Sequence, residues 1–445
     1  MILRIIIDNL YSFGQQTEFN MFTNKSQRHL EHKRFAGKIA YLKMAAIYGA
    51  NGAGKSNMIK ALELLQSLVK EGNIPTFVDN LKFKLDRECQ DRCSSVAVEF
   101  VADEHIYYYT ISFDNTGVFY ETLTETLQSG NDRVVFEREF EEGKEHISFY
   151  EGYDENPKNK LFVEMLAEKF LGRRDVLLHM LQDKYADEFP ETKVAYNWFA
   201  DTLHIVFGSQ AISPIAHIFG TNEKLLDFGN TLVSKLSTGV EGIKTFKYEV
   251  ERTDKNADIF ETLENEPDTV IDKFNPYTGE QISYAKEGDK VMAEVIRTKH
   301  LDKEGNDVTF TFGMESDGTM RLVDYIPMLS DIIKNHAVYV IDEIERSIHP
   351  AVIKELVRLI AAYKEMNGQL VFSTHETCLL DQDILRTDEI WFAQKNVLGS
   401  TELYSLSDFN VHATANVENG YLNGRYGGIP FMNELKMLHW DEGQE

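Results

Sequence analysis

The chain has 445 residues, more than one hydrophobic core ordinarily holds, so two structural units or one domain with large insertions are expected. Its 46 Lys and Arg face 72 Asp and Glu, a net charge of −26; this argues against a surface that coats nucleic acid, because Lys and Arg supply most non-specific phosphate affinity. No apolar run reaches the roughly 18 residues of a membrane-spanning helix, and the composition is that of a soluble globular protein. A local basic groove stays compatible with this charge, and protein partners are favoured. Cys89, Cys93 and Cys378 lack metal-ligand spacing and read as reduced thiols of a cytoplasmic protein.

The opening "MILRIIIDNLYSF" is apolar but contains Asp8 and no small-residue cleavage site, so it reads as a first strand and not a signal peptide. Residues 1–20 are expected as strands around a turn. "KMAAIYGA" (43–50) reads as a buried strand entering a glycine-rich loop. From Ser56 to Lys70, Met58, Ala61, Leu62, Leu65 and Val69 share one helical face. Residues 95–127 are rich in β-branched and aromatic residues around the turn "FDNTG", which predicts a small antiparallel sheet extending to about 150. Residues 158–240 show helical periodicity without a strand signature and read as a helical insertion. Within it "LGRRD" (171–175) reads as a solvated helix end, with a local anion contact as the alternative. Strands return from 243 to 312, and the charged, turn-rich stretch 251–290 predicts mobile loops. The last third reads as α/β. It has a strand "HAVYVIDE" (336–343), a helical stripe of Ile353, Leu356, Val357, Ile360 and Tyr363 after Pro350, and a strand "GQLVFSTHE" (368–376). Further strands are expected at 389–395 and 401–409.

The stretch Gly49-Ala-Asn-Gly-Ala-Gly-Lys-Ser56 fills every fixed position of the G-x-x-x-x-G-K-[ST] loop, between a strand and a helix as that loop requires. Backbone N–H groups of such a loop turn toward phosphate oxygens, and the helix N-terminus favours the anion. Gly49, Asn51, Gly52, Gly54, Lys55, Ser56 and Asn57 are therefore the candidate contacts for ATP. Lys55 would reach the β- and γ-phosphates, and Ser56 would ligate Mg2+. "VYVIDEIE" (338–345) is an apolar strand ending in two carboxylates. Asp342 is the second candidate ligand for Mg2+, directly or through water, and Glu343 the candidate to polarise the attacking water. His375, at the end of the next strand in "FSTHE", is placed to contact the γ-phosphate and joins Lys55 and Glu343 in the candidate catalytic set. Finally, "MESDGTMRLVDYIPML" (314–329) sets Ser316-x-Gly318-Thr319 before a helical stripe. A hydroxyl, a glycine N–H and a helix N-terminus together make an anion site, while a plain serine cap is the simpler reading of Ser316 alone.

These motifs resemble the ABC/SMC class of ATPases, in the form Gly49-x-Asn51-Gly52-x-Gly54-Lys55-Ser56 and in their order along the chain. The resemblance implies the fold class: α/β, an ABC-type ATPase head with a P-loop mixed sheet, an antiparallel β subdomain and a helical insertion. It implies that Ser316 and Gly318 act in trans on the γ-phosphate of a partner copy, in a homodimer or higher even oligomer closed by ATP. "IDEIERSIHP" (341–350), "SDGTMR" (316–321) and "YLNGRYGGIPFM" (421–432) are similar to the OLD/RloA-like branch found in prokaryotic anti-phage operons, and length and layout resemble the ATPase subunit of PARIS-type systems. Two departures stand out. Tyr11 in Asn9-Leu-Tyr-Ser-Phe13 occupies the place where many relatives carry a nucleotide-holding Arg, and Ser347-Ile-His349-Pro350 replaces the Ser-Ala-Leu-Asp of transporter-type ATPases. No glutamine is assignable to the Q-loop.

Only 70 residues follow His375, too few for the TOPRIM nuclease domain of OLD nucleases, and no long heptad run forms a DNA-bridging coiled coil. The expected function is thus a regulatory ATPase of an anti-phage complex. It would oligomerise, respond to a trigger such as a phage protein, and hold or release a separate effector, in that family a TOPRIM-type nuclease. A DNA-repair clamp ATPase of the RecF kind is the alternative, and no membrane role is expected. The expected domains are an N-terminal ATPase lobe at 1–157, a helical insertion at 158–242 and a C-terminal ATPase lobe at 243–445.

Overall fold

The structure is a computed structural model that describes residues 1–127, 129–208, 214–236, 239–275, 277–412 and 414–429. The chain forms two compact units, Met1–Ile205 with Gln369–Glu445, and Val206–Gly368. Helices of the 158–242 stretch are shared between them. Among the described residues no helix is long and apolar enough to cross a membrane.

The first unit contains a seven-stranded antiparallel sheet in the order Lys144–Phe149, Asp132–Glu141, Gly117–Thr126, His105–Asp114, Ser94–Ala102, Ile2–Asp8, Thr17–Asn20. Period-two alternation builds it. Val96, Val98 and Phe100 on one strand and Tyr107, Tyr109, Ile111 and Phe113 on the next are all buried. Trp198 stacks on Phe100 with ring centroids 4.2 Å apart, and Phe199 meets Tyr109 edge-on, so residues from the helical stretch seal this face. A second set of strands runs Gln369–Ser373, Met44–Tyr48, Ile390–Lys395, Thr401–Ser405, the first three parallel and the last antiparallel. Every residue of Met44–Tyr48 is buried, the continuous apolar run of a strand covered on both faces.

Asn9 organises the loop that follows the first strand. It is fully buried with φ +51, a left-handed conformation that asparagine tolerates. Its Nδ2 donates to the carbonyls of Cys89 (2.6 Å) and Arg92 (3.0 Å), and its Oδ1 accepts from Phe83 N. One side chain thereby ties residues 80–94 to the end of the first strand.

Buried charge holds the long sheet to the helical stretch. Glu121, with no exposed surface, accepts from the N–H groups of Leu177 (2.8 Å) and Leu178 (2.9 Å), capping the helix Leu177–Lys184. Burial raises its carboxyl pKa, and Arg138 opposes that rise. Arg138, equally buried, binds Glu145 through two nitrogens and the carbonyls of Asp175 and Gly172. The adjoining arginines are structural too. Arg173 lies 3.5 Å from the Phe140 ring centroid and pairs with Glu145, and Arg174 donates to the Asn115 and Ile74 carbonyls. The stretch 171–175 is therefore a latch on the sheet, neither a solvated end nor an anion contact. Local periodicity cannot show this, because the partners lie 28 to 100 positions away.

The second unit is built on a sheet in the order Gly242–Glu249, Lys290–Leu301, Glu280–Glu287, Val270–Asn275, with Asp307–Thr311 also pairing with Lys290–Leu301. Ile243 and Ile296 from the sheet pack with Phe219, Leu225, Val323 and Ile326 from helices. The unit also carries the helices Asp317–Lys334 and Pro350–Ala362 and the fully buried strand Val338–Ile341. Three expectations change. Leu203–Val206 is a strand within the stretch read as helical. The stretch 251–290 holds the helix Ala257–Asn265 where loops are expected, because Ile259 and Leu263, one turn apart, bury against Val291, while Glu280–Glu287 is one of the strands expected between 243 and 312. Tyr363 ends the helix before it as a cap residue and stays 41% exposed, outside the stripe.

Replacing Arg138 by Met leaves Glu121 without its buried counter-charge and Glu145 with Arg173 alone. We expect unfolding free energy in urea to fall by about 3–5 kcal/mol; a change below about 1 kcal/mol would show that the pair is solvated and the latch unimportant.

Candidate functional site

The strand Met44–Tyr48 delivers the glycine-rich loop, and the helix Lys55–Glu71 starts directly after it with Gly54 at its cap. Met58, Ala61, Leu62, Leu65 and Val69 are buried as the periodicity predicts, which fixes the helix axis. Gly54 has φ +110, and a Cβ there would overlap the Thr401 hydroxyl and crowd Ser12 Oγ. Glycine is thus demanded twice, by conformation and by contact. Thr401 Oγ1 donates to the Ala53 carbonyl at 2.8 Å, so the Ser12 hydroxyl, also 2.8 Å away, is the donor in their mutual bond. Lys395 Nζ donates to the same oxygen at 3.1 Å, and Thr401 N donates to Ser12 O at 2.7 Å. These residues brace the loop from behind and leave its outer N–H groups to a ligand.

Lys55 is 5% exposed, and its ammonium donates to Gly49 O at 2.8 Å and to His375 Nε2 at 3.0 Å. An ammonium has only protons to give, so Nε2 of His375 is the acceptor and bears none in this contact. His375 is held because Thr374 N continues the ladder to Ile47 O at 3.0 Å and the Thr374 hydroxyl accepts from Glu376 N. The structure thus brings together Gly49, Asn51, Gly52, Gly54, Lys55, Ser56, Asn57 and His375 in the first unit. An anion seated on the loop would compete for the Lys55 ammonium, and His375 would register that competition.

Beside Asn57 lies a cavity of about 290 Å3 flanked by Tyr11, Ser12, Lys82, Lys84 and Lys395. Tyr11, with φ +53, donates its N–H to Leu81 O at 2.5 Å, and its phenol pKa is raised first by burial and then by Glu63. A neutral aromatic ring among three lysines suits the base and sugar end of a nucleotide whose phosphates occupy the loop. Sequence reasoning singled out Tyr11 only as a departure, gave Ser12 of the same motif no role, and missed Lys395 and Thr401, which carry no motif.

The remaining candidates lie in the second unit. Ser316 caps the helix Asp317–Lys334, its Oγ accepting from Thr319 N at 3.2 Å. The simple cap reading therefore holds, and the Ser316 and Thr319 hydroxyls also share a hydrogen bond at 3.0 Å. Gly318 has a separate reason to be glycine, since a Cβ would overlap the Ser347 carbonyl. Asp342 and Glu343 follow the strand Val338–Ile341, with Asp342 N donating to Val206 O at 2.8 Å. Glu343 has φ +54 and Ser347 φ +64, left-handed conformations that cost about 1 kcal/mol each and mark a tightly wound turn. Tyr325 OH, donating to Ile344 O at 2.8 Å, pins this turn to the helix that Ser316 caps. The tail motif is described up to Ile429: Tyr421 OH donates to Gly428 O, and Gln394 accepts from Gly428 N. Pro430, Phe431 and Met432 lie outside the described residues.

Gly54→Ala should displace the loop from Thr401 and weaken ATP binding at least about tenfold, the effect of losing one charge-assisted contact. Isothermal titration checks this; unchanged affinity would mean that the brace does not shape the loop.

Residues 44–381 match the protein family described as "AAA domain, putative AbiEii toxin, Type IV TA system". The chain is 22% identical over 361 residues to "Retron Vc95 probable ATPase" of Vibrio cholerae serotype O1 biovar El Tor, a match covering 75% of this chain and 66% of that protein. Among solved structures it aligns with an Smc head bound to the C-winged helix domain of ScpA, at 14% identity and TM-score 0.45 over 91% of this chain and 97% of that one. It also aligns with the SMC head domain from Thermotoga maritima, at 13% identity and TM-score 0.38 over 91% and 98%. These structural likenesses are remote, and the mixed α/β class stands on the sheets described above. With the family match spanning most of its length, the chain belongs to this AAA domain family and is an AAA-family ATPase.

Proposed function

We propose that this chain is a regulatory ATPase of a prokaryotic defence complex, which binds and hydrolyses ATP in composite sites between copies and holds or releases a separate effector. The observation that carries the nucleotide chemistry is the buried Lys55 ammonium, shared between Gly49 O and His375 Nε2 at the start of a 17-residue helix. Phosphate would take over the ammonium, and His375 would exchange that contact for one to the γ-phosphate. Ser56 and Asp342 offer a hydroxyl and a carboxylate, the hard oxygen donors that suit Mg2+, which neutralises charge on the phosphates when bound. Glu343, in its wound turn, polarises the attacking water.

Composite assembly is supported by the signature helix. Ser316 and Gly318 sit at the N-terminus of an 18-residue helix, where a hydroxyl, backbone N–H groups and the helix dipole favour a partner's γ-phosphate. The defence setting is supported by the retron relative and by the resemblance of the signature, carboxylate and tail motifs to the OLD/RloA-like branch and PARIS-type ATPases. The net charge of −26 favours a protein effector, such as a TOPRIM-type nuclease, over a DNA track.

Two measurements test the site. Lys55→Ala should weaken ATP binding about 10–100-fold. Glu343→Gln should keep binding while slowing turnover about 10²–10⁴-fold, the usual share of a positioned base, and unchanged turnover would remove Glu343 from that role. A mixing assay tests composite assembly. Ser316→Asn keeps a capping side chain but loses the hydroxyl; combined with Lys55→Ala, it should restore part of the ATPase activity that each variant lacks alone. If the mixture stays as inactive as its parts, the sites are not shared. Strong, salt-sensitive stimulation of ATPase activity by duplex DNA alone would favour the clamp reading over an effector-holding one.

A further inference from the structure

A cluster in the first unit, away from the glycine-rich loop, has no part in the nucleotide chemistry. His29, Glu31 and His32 each offer one ligand atom, and the three atoms lie within 4.8 Å of one another. His29 takes the left-handed conformation, φ +46, ahead of the short turn Leu30–His32, and this conformation brings the three side chains together.

The hydrogen bonds around the two rings dictate where their lone pairs are. His29 Nε2 lies 2.9 Å from the Gln382 carbonyl oxygen, which only accepts, so the His29 proton sits on Nε2. In the neutral ring Nδ1 is then a lone pair facing Glu31 Oε1 at 3.3 Å, a contact that either a cation or a second ring proton would satisfy. His32 Nδ1 is 2.9 Å from both oxygens of Glu389, so that nitrogen carries the His32 proton and Nε2 carries a lone pair. His32 is 1% exposed, and among the described residues no protein group bonds to its Nε2. Two imidazoles and one carboxylate thus bring one ligand atom each within 4.8 Å of one another, an arrangement that a bound cation would satisfy.

The outer contacts are those of a built site. Glu389 is fully buried and fixed by Arg386 N at 2.8 Å. Gln382 is fixed by its own amide, which donates to the carbonyls of His412 (3.2 Å) and Ala415 (2.9 Å). A carboxylate and a backbone carbonyl, each orienting one imidazole, are the usual second layer around a metal-bound histidine pair. The rings of His29 and His32 stack with centroids 4.9 Å apart, and a zinc–nitrogen bond spans roughly 2.0–2.1 Å.

We propose that His29, Glu31 and His32 bind one divalent transition-metal ion of the zinc class. Two imidazoles and a carboxylate are borderline ligands that suit Zn2+ and disfavour Mg2+, which demands oxygen donors. The ion leaves a fourth position to water and ties the turn Leu30–His32 to the segment Gln382–Glu389. It is distinct from the Mg2+ of the nucleotide chemistry and does not depend on that reading.

The full chain, stripped with chelator and dialysed, is titrated with Zn2+ against a chromophoric competitor, and bound zinc is counted by elemental analysis. We expect about one Zn2+ per chain, not displaced by millimolar Mg2+. His29→Ala, at a partly exposed position that leaves the core intact, should weaken Zn2+ at least tenfold, and Glu31→Gln should do likewise. Glu389→Gln should weaken it about 10–100-fold through the orientation of His32. Bound Co2+ should show a visible d–d band that His29→Ala abolishes. The proposal is overturned if the wild type binds no Zn2+, or if His29→Ala retains wild-type affinity. It is equally overturned if nitrogen NMR finds His29 doubly protonated at neutral pH and unmoved by Zn2+, since the cation would then be the proton of a His29–Glu31 ion pair.

Discussion

The nucleotide chemistry of this chain depends on keeping a turn of backbone N–H groups aimed at one point, and the Thr401 hydroxyl is central to that. A glycine-rich loop gains its geometry by giving up side chains, so it has little of its own to hold it rigid. Thr401 and Ser12 supply the missing contacts from behind, filling the space that a Cβ on Gly54 would need. Loop, first-strand turn and last strand are thereby bonded into one rigid support. The same packing places Lys55 within reach of both the Gly49 carbonyl and His375. A buried ammonium is costly without partners, and here its partners are ones that a phosphate can displace.

Buried charge does different work elsewhere in the first unit. Glu121 caps a helix, Arg138 gathers the carbonyls at the end of a second segment, and Arg173 lies against Phe140. These groups are expensive to desolvate, and each is satisfied by several bonds, so they fix one packing of helices on the long sheet and exclude others. At the turn beginning at His29 three ligand atoms gather within 4.8 Å of one another, which sets that cluster apart from the structural ones.

Much of the local structure was legible in the chain. The loop-bearing helix and the antiparallel sheet from 95 to 150 follow from periodicity, and the buried strands at 43–50, 336–343 and 368–376 from short continuous apolar runs covered on both faces. The exceptions have a common cause. The stretch 251–290 reads as loop by its charge, yet Ile259 and Leu263 suffice to make a helix once Val291 is there to cover them. "LGRRD" reads as solvated until Glu145, Phe140 and Ile74 arrive from distant strands.

The sequence by itself determined the phosphate-binding loop, the paired carboxylates Asp342 and Glu343, the Ser316 cap and the position of His375. Those are short motifs in which neighbouring residues impose the chemistry on one another. Tertiary structure alone decided that Thr401 and Ser12 brace the loop, that Tyr11 and three lysines border a cavity beside it, and that Gln382 and Glu389 orient the rings of His29 and His32. Each of those arrangements joins residues hundreds of positions apart, and what unites them is hydrogen-bond geometry, to which residue order along the chain is blind.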